Sequence, residues 1–439
     1  MFKKIPKGYG LNECPPLREA IALGFTHLPV LLLNTVPIPL LIGGGIGLPA
    51  SEITILIAAC LFVAGIASIL QSIGAGPVGA RLPVFLGNSF VFVAPGIAIA
   101  AQHGLDTFTG ACLVGSVVCL IVWGGLYKQI AKLVKPYISG TIVAILGISL
   151  CGVAIGYCAG GTGSADYGSL SNYLLAGGTI LLTLFLQRFT KGLLQKCAAL
   201  VSMVVMTAVY GFMGKLDFSE MIQSAWLRVP QPLHFGIRFE LGTIVTVSFL
   251  CLVALLELLG DQTTAANLAE NRLPTGKQQH GGILAQGISS VFGSLFNLCP
   301  TISISANLGL CGLTGVTSRF VIAITGVLVM LCGICPKICA VFTLVPNAVL
   351  GGVALMTFGV IILSGINILK NCEMGNRETT IVGISLAVGI GFSAVADSLA
   401  AFPFWVTSML SGLPGTAITA ILLSVLIPAE KKAKDTVSE

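Results

Sequence analysis

Between Ile53 and Leu70 the chain reads ITILIAACLFVAGIASIL, eighteen residues without a charge, and similar runs recur almost to its end. A helix needs about 20 predominantly apolar residues to cross a bilayer. Only 9% of the 439 residues are charged, against roughly 25% in soluble domains. That is too little charge to coat a water-facing surface, so the solvent of this chain is lipid. Membrane β-barrels alternate apolar and polar residues along each strand, which these unbroken runs do not. The expected fold class is all-α integral membrane.

Apolar runs long enough to cross, or to half-cross with a polar break, fall at 20–44, 51–74, 83–101, 107–127, 137–158, 170–187, 194–213, 241–269, 281–298, 300–317, 320–341, 344–366, 379–396 and 400–428. Fourteen spans place both termini on one side. With the termini inside, nineteen of the 23 Lys and Arg residues are cytoplasmic, and only Lys215, Arg228, Arg238 and Lys337 are outside. That is the positive-inside bias, and it predicts a multi-pass protein of the cell (cytoplasmic) membrane with the tail KKAKDTVSE as its last inner anchor. Residues 1–19 lack the apolar core of a cleavable signal peptide. The net charge of +6 thus follows from topology and does not imply nucleic acid.

The polar connection Gly214–Glu240 divides the chain into seven spans and seven. An odd number makes the second half enter from the opposite face, which predicts a 7+7 inverted repeat of the kind used by secondary transporters. Spans three and ten are poor helices. The third, PVFLGNSFVFVAPG, is interrupted at Pro83, Gly87, Asn88, Ser89 and Pro95. In the tenth, Pro300, Thr301, Ser303, Ser305 and Asn307 recur at nearly every second position, which predicts a short extended segment. Gly309, Gly312 and Gly315 follow. Extended backbone within a bilayer is tolerated only where protein or a cavity surrounds it. Breaks at matched positions of two halves point to a substrate site.

Glu257 and Asp261 lie one turn apart in LCLVALLELLGDQTTAANLAE, with Glu257 near the middle of a helix of about 43 Å at 1.5 Å per residue. An ionisable side chain there costs at least about 2.5–3.5 kcal/mol. Two ionised carboxylates at this spacing repel, so the pair is expected to titrate as one coupled unit, suited to proton coupling and to hydrogen bonding a polar ligand. A structural pair satisfied by backbone amides or by His27 is the competing reading.

The fourteen cysteines are scattered through apolar runs, where free Cys acts as a small hydrophobe. Cys332 and Cys335 have no second pair or nearby His, so no metal or cofactor is expected. No nucleophile–base set, H-E-x-x-H or phosphate loop is present, which argues against an enzyme.

Together these stretches resemble the nucleobase–ascorbate transporter family, the nucleobase–cation symporters of the second type, over nearly the whole chain. THLPVLLLNTVPIPLLIGG is similar to the family's Gln-His start, and LGNSFVFVAP to its Gly-x-Ser-Phe stretch. ELLGD is similar to the Glu-x-x-Gly-Asp of the purine branch, where the uracil branch has His at the Asp position. ANLGLCGLTGVTSR resembles the family signature. The resemblance implies a core domain (1–134 and 241–341), a gate domain (135–240 and 342–439) that moves against it, a homodimer, and a ligand held between the short strands of spans three and ten. It implies substrate binding by Glu257, by the backbone around Phe90 and Ala306, and by Ser89 and Ser305. Asp261, His27, Asn307, Asn88 and Ser303 would support the site or couple protons, and Gly309, Thr314 and Arg319 complete the signature.

Three positions depart from the family pattern: Thr26 for Gln, Asn88 in the Gly-x-Ser-Phe stretch, and Ala306 where a Gln or Glu side chain reads the base. Asn88, Ser303 and Ser305 are candidates for the missing contact. The expected activity is proton-coupled import of a purine such as xanthine, urate or guanine. The second reading is a carrier of uracil, ascorbate or another small anion, or one coupled to sodium. No Lys or Arg falls between Pro83 and Pro95 or between Pro300 and Thr314, which counts against a simple anion.

Overall fold

The computed structural model describes residues 8–133 and 135–428. Lys3, Lys4, Lys7 and the tail at 431–439 lie outside the described residues. In chain order the elements are α1 (Leu17–Thr35), α2 (Pro37–Gly45), α3 (Ala50–Ile73), β1 (Leu86–Asn88), α4 (Val93–His103), α5 (Leu105–Leu133), α6 (Pro136–Cys158), α7 (Leu170–Phe189), α8 (Leu193–Lys196), α9 (Ala198–Phe212), α10 (Ser219–Gln223), α11 (Leu241–Glu270), α12 (Gly276–Ser294), β2 (Thr301–Ser303), α13 (Ala306–Thr314), α14 (Arg319–Gly333), α15 (Pro336–Thr343), α16 (Asn347–Lys370), α17 (Asn376–Ala394), α18 (Phe404–Leu410) and α19 (Gly412–Leu426).

This is a helical membrane protein. Among the described residues seven stretches are long and apolar enough to cross a bilayer, and nine if two bent helix pairs each count as one span. The bent pairs are α14 with α15, at 81°, and α18 with α19, at 68°. The other segments expected to cross are short or polar: α9 and Phe90–His103 fall below the length of a full span, and α12 is rich in Gly, Gln and Ser.

The chain forms two compact units, Met1–Tyr127 with Leu150–Thr357, and Lys128–Ser149 with Phe358–Glu439. In the first, α3 is the central post, packed against α14, α12 and α15. Lipid supplies no hydrophobic drive between helices, so close approach of small residues does the work. A Cβ on Gly65 of α3 would stand 2.5 Å from the carbonyl oxygen of Gly326 in α14, closer than real Cβ atoms come. In the second unit α17 packs along α19. Arg377, buried at the start of α17, donates to the Ser424 and Ile427 carbonyl oxygens at 2.6 and 2.8 Å and to the Tyr137 hydroxyl at 3.3 Å. These carbonyls end α19, where a helix lacks acceptors' partners of its own.

Both expected breaks contain a strand. β1 and β2 pair antiparallel with Leu86 opposite Ser303, Gly87 opposite Ile302 and Asn88 opposite Thr301. The Ile304 amide donating to the Phe85 carbonyl at 3.0 Å extends the ladder. A two-stranded ladder has two open edges, and inside a membrane each unpaired group is costly. Two serines pair one position on each. Ser68 of α3 donates to the Leu86 carbonyl and accepts from the Leu86 amide, at 3.0 and 3.1 Å. Ser290 of α12 accepts from the Thr301 amide at 3.0 Å.

The extended stretch is shorter than the period-two pattern suggests. It ends at Ser303, and Asn307 falls in the first turn of α13. The pattern of alternating polar residues continued past the strand because Ser305 and Asn307 serve other partners, described next.

Candidate functional site

α11 carries the acid pair and packs against β2, α13, α12 and the single 3-10 turn Phe90–Phe92 that follows β1. It thus touches both breaks. Glu240 caps its start, accepting from the Gly242 and Thr243 amides at 2.9 and 2.6 Å. Further along the same helix, Glu257 is half-buried and Asp261 buried. Ser305, in the turn between β2 and α13, donates its hydroxyl to both Asp261 oxygens, at 2.8 and 2.9 Å. Ser303 lies buried beside Asp261. Among the described residues neither carboxylate is in an ion pair with Lys or Arg; the pairs present are Arg272 with Glu270 and Arg377 with Glu378.

One face of this assembly is open. Ser305 and Ala306 are exposed, and a Cβ on Gly260 or Gly309 would meet nothing within 4 Å. Ala306 is the first residue of α13, so its amide is one of the N-terminal donors for which the helix has no acceptor. Phe90 is half-buried at the first position of the 3-10 turn. Ser89 caps that turn by accepting from the Val91 amide at 3.2 Å. Gly260, Ser305, Ala306 and Gly309 therefore lie on surfaces free of bulky cover, with the half-buried Glu257 three residues before Gly260. A separate cavity of about 310 Å³, lined by Ser51, Thr54, Glu220, Arg228 and His234 among others, shares none of these residues.

Asn307 pins the start of α13. Its Nδ2 donates to the Pro83 carbonyl at 3.2 Å. A carbonyl can only accept, so Oδ1 must face His27 Nδ1, 2.6 Å away. His27 therefore carries its proton on Nδ1 and donates it. The imidazole, fully buried and 6.2 Å from the Phe85 ring centroid, links α1 to α13. Asn88 is also committed: Nδ2 donates to the Cys299 carbonyl at 2.8 Å, and Oδ1 accepts from Cys60 Sγ at 2.9 Å. Its amide ties β1 to α3 and to the approach to β2.

A model of a permease family matches residues 18–398 of the chain. The chain belongs to the xanthine/uracil permease family. It is a membrane transporter and not an enzyme. The xanthine permease of Bacillus subtilis is 33% identical to this permease over 419 residues, 95% of each chain. The uric acid permease PucK of the same organism is 35% identical over 379 residues, 86% of this chain and 88% of that one. Among solved structures the transmembrane domain of a cyanobacterial bicarbonate transporter, BicA, superposes with a TM-score of 0.58 at 14% identity, covering 93% of this chain and 97% of that one. At that identity the likeness is one of fold.

In the permease the signature residues after Asn307 build a joint. Thr314 donates to the Leu310 carbonyl at 2.8 Å and accepts from the Val316 amide at 3.3 Å, closing α13. Gly315 takes φ +69° as the left-handed cap. The N-terminal segment then lies alongside: the Thr317 and Arg319 amides donate to the Tyr9 and Leu11 carbonyls, and the Ser318 hydroxyl donates to the Glu13 carbonyl at 2.6 Å. Arg319 reaches the last carbonyl of α3, that of Ile73, at 3.5 Å. Sequence reading did not find the roles of Ser68 and Ser290; a serine in an apolar run beside a broken span is the signal that was available.

Proposed function

We propose that this permease imports a purine nucleobase, xanthine or urate in the first place, by proton symport. The observation that carries the reading is the acid pair on α11, tied through Ser305 to the β2–α13 turn and unpaired by any Lys or Arg among the described residues. A mid-helix acid without a cation is costly unless it takes a proton or a polar ligand. In this reading Glu257 binds a ring N–H edge, with the amides near Ala306 and Phe90 bonding ring oxygens and the Phe90 ring alongside. Asp261 holds or releases the coupling proton. The relatives named for xanthine and uric acid support the substrate class.

Fourteen spans in a 7+7 inverted repeat, both termini cytoplasmic, belong to the same proposal, as does a homodimer. Transport would follow from movement of the core domain (1–134 and 241–341) against the gate domain (135–240 and 342–439), a division by motion rather than by packing. Ala306 leaves the position of the family's base-reading side chain without a polar group. Ser305 is already spent on Asp261 and Asn88 on Cys60 and Cys299, so the permease should discriminate among oxopurines weakly.

The test is uptake of labelled xanthine, urate, guanine and uracil into liposomes holding the purified protein, with and without a proton uncoupler. Accumulation of an oxopurine that collapses with uncoupler is expected. Correctly inserted protein that moves none of the four bases would overturn the proposal. With Glu257→Gln, xanthine should no longer raise the thermal unfolding temperature; equal stabilisation of both proteins would remove Glu257 from the binding role.

A further inference from the structure

Three primary amides are enclosed in the first unit without bonds to match. Gln71 of α3 and Gln262 of α11 are completely buried, and neither the nitrogen nor the oxygen of either amide has a hydrogen-bond partner among the described residues. Gln286 of α12 is buried too, with its Oε1 unpartnered. They are neighbours. A Cβ on Gly282 of α12 would run into the Gln262 amide and stand 3.0 Å from Gln71 Nε2. Gln286 is one turn further along α12 on the same face as Gly282. The Ser303 hydroxyl is buried beside Asp261, the residue preceding Gln262.

Buried polar groups in proteins are nearly always hydrogen-bonded, and in a membrane interior the penalty for leaving them bare is higher still. The kind of group left unpaired identifies what satisfies it. The Nε2 atoms of Gln71 and Gln262 only donate, the three Oε1 atoms only accept, and the Ser303 hydroxyl does either. Turning any amide over exchanges its ends and leaves the mixture unchanged. A cation satisfies acceptors alone and an anion donors alone. Water satisfies both, and a buried water typically takes about three bonds.

The cluster also has a direction. At one end β2, whose Ser303 lies beside Asp261, packs against both α11 and α12. At the other, the Gln71 backbone carbonyl accepts the Arg81 backbone amide at 2.9 Å, and Arg81 is an exposed residue just past the Ala75–Val78 turn. By the charge rule that turn is cytoplasmic.

We propose that Gln71, Gln262, Gln286 and Ser303 hold a cluster of ordered water that carries the coupling proton from Asp261 to the surface beside Arg81, along a route separate from that of the base. The protonated Asp261 carboxyl gives its proton to the nearest water and is left as carboxylate. The excess proton passes along the hydrogen-bonded waters and enters bulk water as hydronium. The glutamines do not titrate; they fix the waters in line. This rests on the proton-coupled reading of the acid pair.

Full-length protein in liposomes with a trapped pH-sensitive dye tests it, using Gln71→Leu, Gln262→Leu and the double variant. Exchange of labelled for unlabelled xanthine at equal pH needs no net proton movement and should stay within about twofold of the unaltered protein, while proton-driven net uptake and the dye signal fall about tenfold, the loss of one hydrogen bond of ordinary strength. Equal loss of exchange and net uptake, or loss of neither, overturns the relay. A variant that fails to insert leaves the second arm: an experimental density map of the unaltered protein that shows ordered solvent should place water between the three amides. A map with the amides bonded directly to one another and no water overturns the proposal. If the unaltered protein moves xanthine without protons, the symport reading falls, and the map alone then decides whether the water cluster exists.

Discussion

Replacing Asn307 with alanine should loosen the start of α13 by a calculable amount. The side chain is fully buried, accepts from His27 Nδ1 at 2.6 Å and donates to the Pro83 carbonyl at 3.2 Å, with a weak third contact to Cys311 Sγ at 3.6 Å. Truncation leaves one buried donor and one buried acceptor without partners. Each such orphan costs about 1–3 kcal/mol, so the Asn307→Ala protein should be about 2–6 kcal/mol less stable. The thiol adds little. Equilibrium unfolding in mixed detergent micelles measures the loss. A double-mutant cycle with His27→Ala isolates the shared bond, for which about 1–3 kcal/mol of coupling is expected. Asn307→Asp keeps an acceptor for His27 and sets its second oxygen against the Pro83 carbonyl, so its cost should fall between. Loss below about 1 kcal/mol in Asn307→Ala, or strict additivity with His27→Ala, would refute the reasoning that these two side chains pin α13 to α1.

Ser305→Ala removes both contacts to Asp261 from a position that is otherwise exposed. The protein should insert normally while proton-driven uptake falls about tenfold or more, since hydrogen bonds to charged groups are worth roughly 1.5–3 kcal/mol; unchanged uptake kinetics would contradict this. Gly315→Ala places a side chain at φ +69°, which costs about 1–3 kcal/mol, and should free the Tyr9–Glu13 segment, read as faster proteolysis near Leu11. Glu240→Ala should cost about 0.5–2 kcal/mol as a lost helix cap. Partial burial works to raise the Glu240 pKa, but the Thr243 and Gly242 amides and the nearby His103 outweigh it and hold the carboxyl below its ordinary value. The cap's contribution is therefore complete above about pH 4.3, the value for a free Glu, and is lost as pH falls through the lower folded value. Acid unfolding curves should show this limb in the unaltered protein and lack it in Glu240→Ala.

The two breaks were legible because small polar and β-branched residues replace leucine and isoleucine within otherwise apolar runs, and a bilayer gives such residues few other uses. The acid pair was legible for the same reason. What the sequence could not convey was partnership. His27 meets Asn307, and Ser305 meets Asp261, across hundreds or tens of residues that carry no periodic trace of the contact. Asn307 read as part of the extended run because polar alternation looks alike whether it lines a strand or begins a helix. The glutamines escaped notice because an uncharged polar residue in an apolar span is common, and only the three-dimensional placement reveals that Gln71 and Gln262 meet at Gly282, one turn of α12 from Gln286. Among the described residues fewer helices qualify as crossings than the fourteen expected, in part because the third and tenth segments hold short helices next to strands.

The ladder between β1 and β2 also governs how the chain can be made. Asn88 and Cys299 are 211 residues apart, and His27 and Asn307 are 280 apart. When β1 leaves the ribosome its partner strand does not yet exist, and Gly87, opposite Ile302 in the finished ladder, and the Asn88 side-chain amide, which will reach Cys299, face a membrane that offers them nothing. Ser68 can shelter Leu86 in the meantime, since α3 has already been synthesised. The nascent first half must therefore wait, held by that serine or by the insertion machinery, until more than two-thirds of the polypeptide has emerged. Premature termination before Thr301 would yield a fragment that no amount of apolar packing can complete.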